Sequence, residues 1–375
     1  MKVLKLSIIY FIEVIEYLRN LFLKFISIIF WPKKINPKKI KKIMIYRVGN
    51  IGDLIVSIPS IELIKSKFPD AKLILLSSPG YIGSVGANAV FKNLDIFDEV
   101  HEYYLGKGEG LFNFIKSNNS FKDIDLIVDL PSQFETVRSI LKRMLFHKFI
   151  NPNYAFGWEI STTKVFRKIQ NSIRKFPYEK DRLISIIKKN TKNIVSKPID
   201  NFSLKLNYES NPASVLSNKY VVIAPGAKRS TNRWSIENFY DLIEYLDSRS
   251  IECVLVGGSD VIELSDSLEK RFKNITNFCG RIDLFQSMQV ISSASLSICL
   301  DSGIQHISHV LQIPTVSIFS SRDFSGKWFP NNPTDYIFRS SVDCDVCLLE
   351  KCPFENKCVN QIKPIDIINY LDQAI

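Results

Sequence analysis

Short apolar runs alternate along the chain with longer stretches in which apolar residues recur at helical spacing. The runs of strand length are Ile43–Tyr46, Ala71–Leu76, Ile124–Leu130, Tyr220–Ala224, Ile251–Val256, Ile275–Phe278 and Leu296–Leu300. Amphipathic segments follow them. One runs from Leu54 to Phe68 and is closed by Pro69, others start at Ser235 and Asp283, and one carries Ile304, Ile307, His309, Val310 and Leu311 before Pro314. Strand–helix alternation predicts α/β domains with parallel sheets covered by helices on both faces. Residues 150–215 are rich in Lys, Asn and Ser and only weakly periodic. The domain boundary is therefore expected there, giving domains over 43–210 and 211–360 and a C-terminal helix over 361–375 that is free to pack back on the first domain.

Residues 1–42 break this rhythm. The stretch Leu6–Phe30 is apolar, but Glu13, Glu16, Arg19 and Lys24 interrupt it, leaving no uncharged window of the ~18 residues a spanning helix needs. At about 100° per residue, Leu4, Phe11, Val14, Ile15, Leu18, Leu21, Phe22, Phe25 and Ile29 share one face. Lys5, Glu13, Glu16, Arg19, Asn20 and Lys24 fall opposite. Trp31-Pro32 ends the helix, and the basic run Lys33–Lys42 follows. This pattern predicts a helix lying in the plane of an anionic membrane surface, on the cytoplasmic side. A signal peptide is disfavoured because acids occupy its middle and no small-residue cleavage site follows, whereas a helix simply packed on the protein remains open.

Charge sharpens the division. The 375-residue chain carries a formal +11, and residues 1–42 hold ten Lys or Arg against two Glu, so most of the excess sits in this appended segment. The body is nearly balanced, which argues against nucleic acid as a partner. A hydrophobic content of 46% is enough for two ordinary cores.

Chemistry gathers at the turns. Arg47-Val48-Gly49-Asn50-Ile51-Gly52-Asp53 is a tight glycine turn after the first strand. The second strand ends in Ser77-Ser78-Pro79 and not in the acid that would hold a dinucleotide ribose, so a nicotinamide or flavin enzyme is disfavoured. Pro225–Trp234 is a cation-rich loop at a strand end. Asp301-Ser302-Gly303-Ile304-Gln305-His306 joins a strand to a helix start, where the N–H groups of Ser302 and Gly303, the Ser302 hydroxyl and His306 could all donate to an anion. The competing reading is an ordinary capped helix with a core histidine.

Seven cysteines include a cluster, Cys344-x2-Cys347-x4-Cys352-x5-Cys358. Four thiolates at this spacing could hold zinc or an iron–sulfur cluster, although a second Cys-x2-Cys is missing and reduced thiols are the alternative. Cys253, Cys279 and Cys299 lie in apolar strand contexts and are expected in the core.

Taken in order, these motifs resemble glycosyltransferase family 9, the bacterial lipopolysaccharide heptosyltransferases, over about residues 43–375. The resemblance rests on Arg47-Val48-Gly49 through Gly52-Asp53 with Pro59, on Asp125–Leu130, and on Pro225-Gly226-Ala227 leading to Arg233-Trp234. Asp301-Ser302-Gly303 with His306, then Ile313-Pro314 and Phe319, complete it. It implies a GT-B architecture, two Rossmann-like domains facing a cleft, with the nucleotide sugar on the C-terminal domain and the acceptor on the N-terminal one. It also implies an inverting, metal-independent transfer of a sugar, a heptose in this family, to a lipopolysaccharide-core or related glycolipid at the cytoplasmic face of the inner membrane. Asp53 takes the general-base role, and Arg47, Gly49 and Gly52 form the acceptor-side loop. Donor binding falls to Gly226, Lys228, Arg229, Arg233, Glu263, Asp301, Ser302, Gly303 and His306, with Asp260 competing with Glu263 for the ribose and Trp234 either stacking on the ligand or buried. No cofactor is implied beyond the nucleotide sugar, which is a substrate, and the cysteine cluster is a candidate structural zinc site. One departure stands out: Asn232 occupies the place of a lysine usual in the family, leaving Lys228, Arg229 or Arg233 to meet the diphosphate. A transferase using a UDP- or GDP-sugar in capsule or O-antigen assembly, and a noncatalytic sugar-nucleotide binder, are the alternatives.

Overall fold

The computed structural model describes residues 2–32, 34–81, 85–105, 110–160, 165–195, 204, 206, 212–216 and 219–374. Two compact units divide the chain, Met1–Phe202 and Ser203–Ile375. Lys33, in the basic run, lies outside the described residues.

The first unit opens with helix α1 (Lys2–Phe30), then strand β1 (Lys42–Val48), the short helices α2 (Ile51–Ile55) and α3 (Ile58–Lys67), and β2 (Lys72–Tyr81). The expected single helix 54–68 is thus two. Pro59 has no N–H to give and fits only a first turn, so the chain restarts there, with the Ser57 hydroxyl donating to Leu54 O (2.6 Å) at the break. Next come α4 (Ala87–Phe91), β3 (Glu99–Leu105), α5 (Leu111–Ser117), β4 (Leu126–Asp129), α6 (Val137–Ile150), β5 (Tyr154–Phe156), α7 (Arg167–Ile173) and α8 (Glu179–Asn190). Among the described residues, the weakly periodic stretch 150–215 therefore holds a strand, two α-helices and a 3-10 helix (Pro212–Val215). In α8, Leu183, Ile186 and Ile187 are buried at helical spacing, although charged residues dominate its sequence. The strands form an all-parallel sheet in the order β3-β2-β1-β4-β5. Ile43, Met44 and Ile45 of β1 are buried in succession, as a strand covered on both faces requires.

Helix α1 lies on α6 and α7, but by the side that the sequence marks as polar. Ile9, Ile12, Glu16 and Leu23 are buried, Asn20 exchanges hydrogen bonds with the backbone of Ile160 (2.7 and 2.8 Å), and Arg174 pairs with Glu16 at 3.3 Å. Beyond the helix, Trp31 stacks on Trp158. Leu4, Phe11, Val14, Leu18, Leu21, Phe22, Phe25 and Ile29 all remain exposed. Among the described residues no helix is long and apolar enough to cross a membrane.

In the second unit β6 (Tyr220–Ala224), α9 (Ile236–Ser248), β7 (Glu252–Leu255), α10 (Ile262–Arg271), β8 (Ile275–Asn277), α11 (Leu284–Ser292), β9 (Leu296–Leu300), α12 (Gly303–Val310), β10 (Thr315–Phe319) and β11 (Tyr336–Arg339) follow one another. Two helices, α13 (Lys357–Asn360) and α14 (Pro364–Ala374), close the chain. The sheet is parallel, ordered β11-β10-β9-β6-β7-β8. Helix α14 was open to packing on the first domain; it packs on α9 in its own unit, where Ile367 and Leu371 join the core and Tyr370 stacks on Tyr336 (4.1 Å). Cys253, Cys279 and Cys299 are buried.

In each sheet successive strands run outward on one side of the first strand and then return on its other side. The reversals fall between β1 and β4 and between β6 and β9. Loops splay apart at such switch points, and ligands of open α/β sheets bind there, beyond the carboxyl ends of the strands.

Candidate active site

At the first switch point the backbone turns so tightly that a Cβ on Gly49 would lie 2.4 Å from the Cβ of Asp53. Glycine is required at 49 for that reason. Asp53 sits in the first turn of α2, where its Oδ2 accepts the N–H of Asn50 (3.1 Å), and its side chain is 23% exposed. Arg47 was expected as part of the acceptor-side loop. It is fully buried and works from below, with Nε donating to Asp53 O (3.1 Å), Nη2 reaching Asp53 Oδ1 (3.5 Å), and Nη1 donating to Leu130 O (2.9 Å). Buried Glu179 balances it at 3.4 Å and is itself held by Arg182 at 2.7 Å. A buried arginine with a matching carboxylate and carbonyl partners orients without wandering. Asp53 is thereby fixed with part of its carboxylate in solvent. Gly52 forms the second residue of α2, where its carbonyl accepts the N–H of Val56 (3.0 Å).

Beside it, at the end of β4, Asp129 is buried and accepts from Arg143 Nε at 3.0 Å. Burial pushes its carboxyl up to about 6 despite Arg143. The same enclosure pushes His147 well below the usual imidazole value, so it is neutral.

The second switch point gathers three loops. Ser302 occupies the N-cap position of α12 without a side-chain cap bond, and its hydroxyl is buried with no hydrogen-bond partner among the described residues. The N–H groups at the start of α12 point out beside it, as those of any first helical turn must. His306 is buried, its ring 5.6 Å from Trp328. Asp301 receives Asn232 Nδ2 at 2.8 Å, and Asn232 Oδ1 accepts the Ser320 hydroxyl at 2.6 Å. Asn232 thus ties the 225–234 loop to the ends of β9 and β10. Desolvation, with Asp323 nearby, pushes Asp301 up to about 7 against the pull of Lys327, Arg322 and Arg229.

The remaining donor-side candidates divide. Lys228 and Arg229 are exposed and Arg233 is partly exposed; Arg229 pairs with Glu350 and Arg233 with Asp260 (3.1 Å). Exposed pairs of this kind are worth about 0–1 kcal/mol, so either cation can turn to a phosphate. Gly226 abuts Val261, where an added Cβ would come within 3.0 Å. Glu263 is exposed in the first turn of α10, while Asp260 is taken by Arg233. Trp234 is buried and donates to Ile362 O (2.8 Å), a packing role and not a ligand platform.

Sequence reasoning missed the segment after β10. Buried Lys327 pairs with Asp323 at 3.2 Å, Trp328 Nε1 donates to the same oxygen (3.2 Å), and the Lys327 ammonium lies over the Trp328 ring. Burial raises Asp323, but Lys327 and the hydrogen bonds of Phe324 and Trp328 outweigh it and hold the carboxyl low. The available signal was the charged pair Arg322-Asp323, set off by Ser320-Ser321 from the apolar run Thr315–Phe319. The Glu179–Arg182 support was also missed, for want of any local pattern linking it to Arg47.

The four clustered cysteines line one small cavity of about 20 Å³, together with Thr231, Ser321, Arg322, Val342 and Lys357. All are free thiols.

Two open parallel sheets, each with a polar loop at its switch point, define an α/β protein of the class that binds ligands beyond the carboxyl ends of its strands. The chain belongs to glycosyltransferase family 9 (heptosyltransferase), whose model matches residues 142–358. It is 25% identical to lipooligosaccharide heptosyltransferase 2 of Campylobacter jejuni over 337 residues, 87% of this chain and 96% of that protein. Among solved structures, an Escherichia coli heptosyltransferase with ADP-2-deoxy-2-fluoro heptose superposes with a TM-score of 0.61 at 15% identity, covering 89% of this chain and all of the other. The iron-containing dodecameric glycosyltransferase TibC from enterotoxigenic E. coli gives a TM-score of 0.50 at 14% identity, covering 90% of this chain and 78% of that one. The fold is GT-B, and the protein is a glycosyltransferase.

Proposed function

We propose that the protein transfers a heptose from an ADP-linked donor to the core of a lipopolysaccharide or a related glycolipid, inverting the anomeric centre without metal assistance. The observation that carries this reading is the buried, unpartnered Ser302 hydroxyl at the start of α12, next to Asp301, which Asn232 bonds and on which Arg229 of the basic loop acts. Donors fixed there strengthen as negative charge develops on the leaving diphosphate. Asp53, held by Arg47 and Asn50, accepts the proton of the acceptor hydroxyl as that oxygen attacks the anomeric carbon. Lys228, Arg229 and Arg233 stand in for the lysine replaced by Asn232. An ADP donor follows the bound ligand of the E. coli heptosyltransferase, and a lipid-borne acceptor follows the names of the relatives.

The exposed apolar face of α1 supports a peripheral location at the cytoplasmic face of the inner membrane. Glu16 and Asn20 on its polar face are engaged by partners in the first unit, so the apolar stripe is left exposed beside a basic run worth about 1 kcal/mol per cation near an anionic surface. An acceptor confined to that plane is met by an enzyme confined to it.

The test screens ADP-heptose beside UDP- and GDP-sugars for thermal protection and for transfer to a truncated core acceptor. ADP-heptose is expected to protect and to be consumed. Protection and transfer by a UDP- or GDP-sugar alone would replace the donor assignment, and protection without transfer would favour a noncatalytic binder.

A further inference from the structure

The chain between β11 and α13, residues 340–356, contains no helix or strand. An ordered segment of this length without secondary structure is unusual, and its only buried apolar side chain is Val346. Four of its non-glycine residues, Val346, Leu348, Glu355 and Asn356, adopt left-handed backbone angles (φ 54, 59, 48 and 57), the first two flanking Cys347 and the last two preceding Cys358. Such angles persist where surrounding structure enforces them. Apolar burial adds little to that enforcement here; hydrogen bonds from Val346 N–H to Ser321 O (2.8 Å), Leu348 N–H to Arg322 O (3.1 Å) and Asn360 Nδ2 to Glu355 O (2.9 Å) supply part of it. The four thiols converge on one small cavity within this frame, and two of them accept backbone N–H groups, Cys358 from Ser321 (3.3 Å) and Cys352 from Phe354 (3.4 Å). Arg322 and Lys357 on the cavity wall offset the negative charge that four thiolates leave around a divalent ion.

The same segment braces the basic loop. Asn356 Nδ2 donates to Ser230 O (2.6 Å) and Arg233 O (3.1 Å), the Ser230 hydroxyl donates to Glu350 O (3.3 Å), and Glu350 pairs with Arg229 and, at 2.9 Å, with Arg322. Thr231 lines the cavity itself.

We propose that Cys344, Cys347, Cys352 and Cys358 bind one thiophilic divalent ion, zinc or iron, and that this knot holds the 228–234 loop in the shape that receives the donor diphosphate. Four sulfur ligands in a tetrahedron suit those two metals. Among the described residues no three His, Cys, Asp or Glu side chains stand at metal-ligand geometry. Binding therefore draws the thiols inward by side-chain rotation and releases their protons. The ion takes no part in the transfer; the cysteines are positioning residues.

The positioning half of this proposal rests on the donor-loop reading given above, whereas metal content is read independently of it. Elemental analysis of the full chain, loaded with zinc or ferrous iron under reducing conditions, is expected to give about one ion per chain, and Cys352→Ser to lose it. Stripping the wild-type protein with a chelator should weaken binding of an ADP-sugar at least tenfold, with recovery when the metal returns. That second measurement does not depend on the variant folding. No bound zinc or iron after loading would overturn the site. Bound metal whose removal leaves ADP-sugar affinity unchanged would overturn the positioning role, and an ADP-sugar that binds neither form would count against the donor reading, not against the metal.

Discussion

Asp301 has two partners with opposite demands, Asn232 Nδ2 at 2.8 Å and the negatively charged ligand proposed for the loop it begins. Its carboxyl is pushed up to about 7, chiefly by desolvation, so the folded protein holds a proton there that the unfolded chain releases near the ordinary value of 3.8. Proton uptake on folding makes this group's contribution to stability fall as pH rises between about 4 and 7. The charged form also repels a diphosphate. Affinity for an intact ADP-sugar, whose phosphates do not titrate in this range, should therefore decline as pH climbs through about 7, and Asp301→Asn should flatten the profile; calorimetric titration at several pH values reads both. Ser302→Ala should raise the dissociation constant of the same ligand about 10- to 100-fold, the ~1.5–3 kcal/mol of a hydrogen bond to a charged group. Both residues were legible because their chemistry is local, a strand end followed by a helix start. Arg47 was legible as a residue but not in its role. Its counter-charge, Glu179, lies 132 positions away, and no periodicity connects them.

All seven apolar runs of strand length became strands, as short apolar runs buried in a parallel sheet should, but β3, β5, β10 and β11 went unread, β10 even though all five of its residues are buried. The helices carry a more qualified lesson. In α1 the apolar stripe was found correctly, yet the polar stripe is the one that packs, because Asn20 and Glu16 find partners in Ile160 and Arg174 that sequence spacing cannot disclose. This orientation makes a sharp forecast. Replacing Phe11 and Phe25 with serine should cost membrane affinity, at about 1.5–3 kcal/mol per ring, while leaving thermal stability nearly unchanged because both rings are exposed. Co-sedimentation with anionic vesicles beside a melting curve would check it; binding equal to that of the wild type would remove α1 from the anchoring role. A different outcome is expected beyond β5, where Gly157 has φ +120 and an added Cβ would lie 1.9 Å from Asp129 O. Gly157→Ala should destabilise the first unit by several kcal/mol, seen as a lowered midpoint in chemical denaturation.

For the chain as a whole, the sequence disclosed the repeated plan, two parallel sheets each with a switch point, because strand–helix alternation survives even where charge obscures a helix such as α8. It also disclosed the division of labour in charge: a basic appended segment and a nearly neutral body. It did not disclose how the Asp53 carboxylate, proposed as the base, is held, or how the loop carrying Asn232 is supported. Those depend on contacts between distant segments, Arg47 with Glu179 and Asn232 with Ser320. The central claim is that proton abstraction belongs to the first unit and donor binding to the second, through separate groups. Measuring the transfer rate and the ADP-sugar dissociation constant of full-length Asp53→Asn side by side tests it most directly. The rate should fall about 10²–10⁴-fold, the usual span for loss of a general base, with the dissociation constant unchanged. Turnover retained at the wild-type rate, or donor affinity lost together with it, would contradict the account.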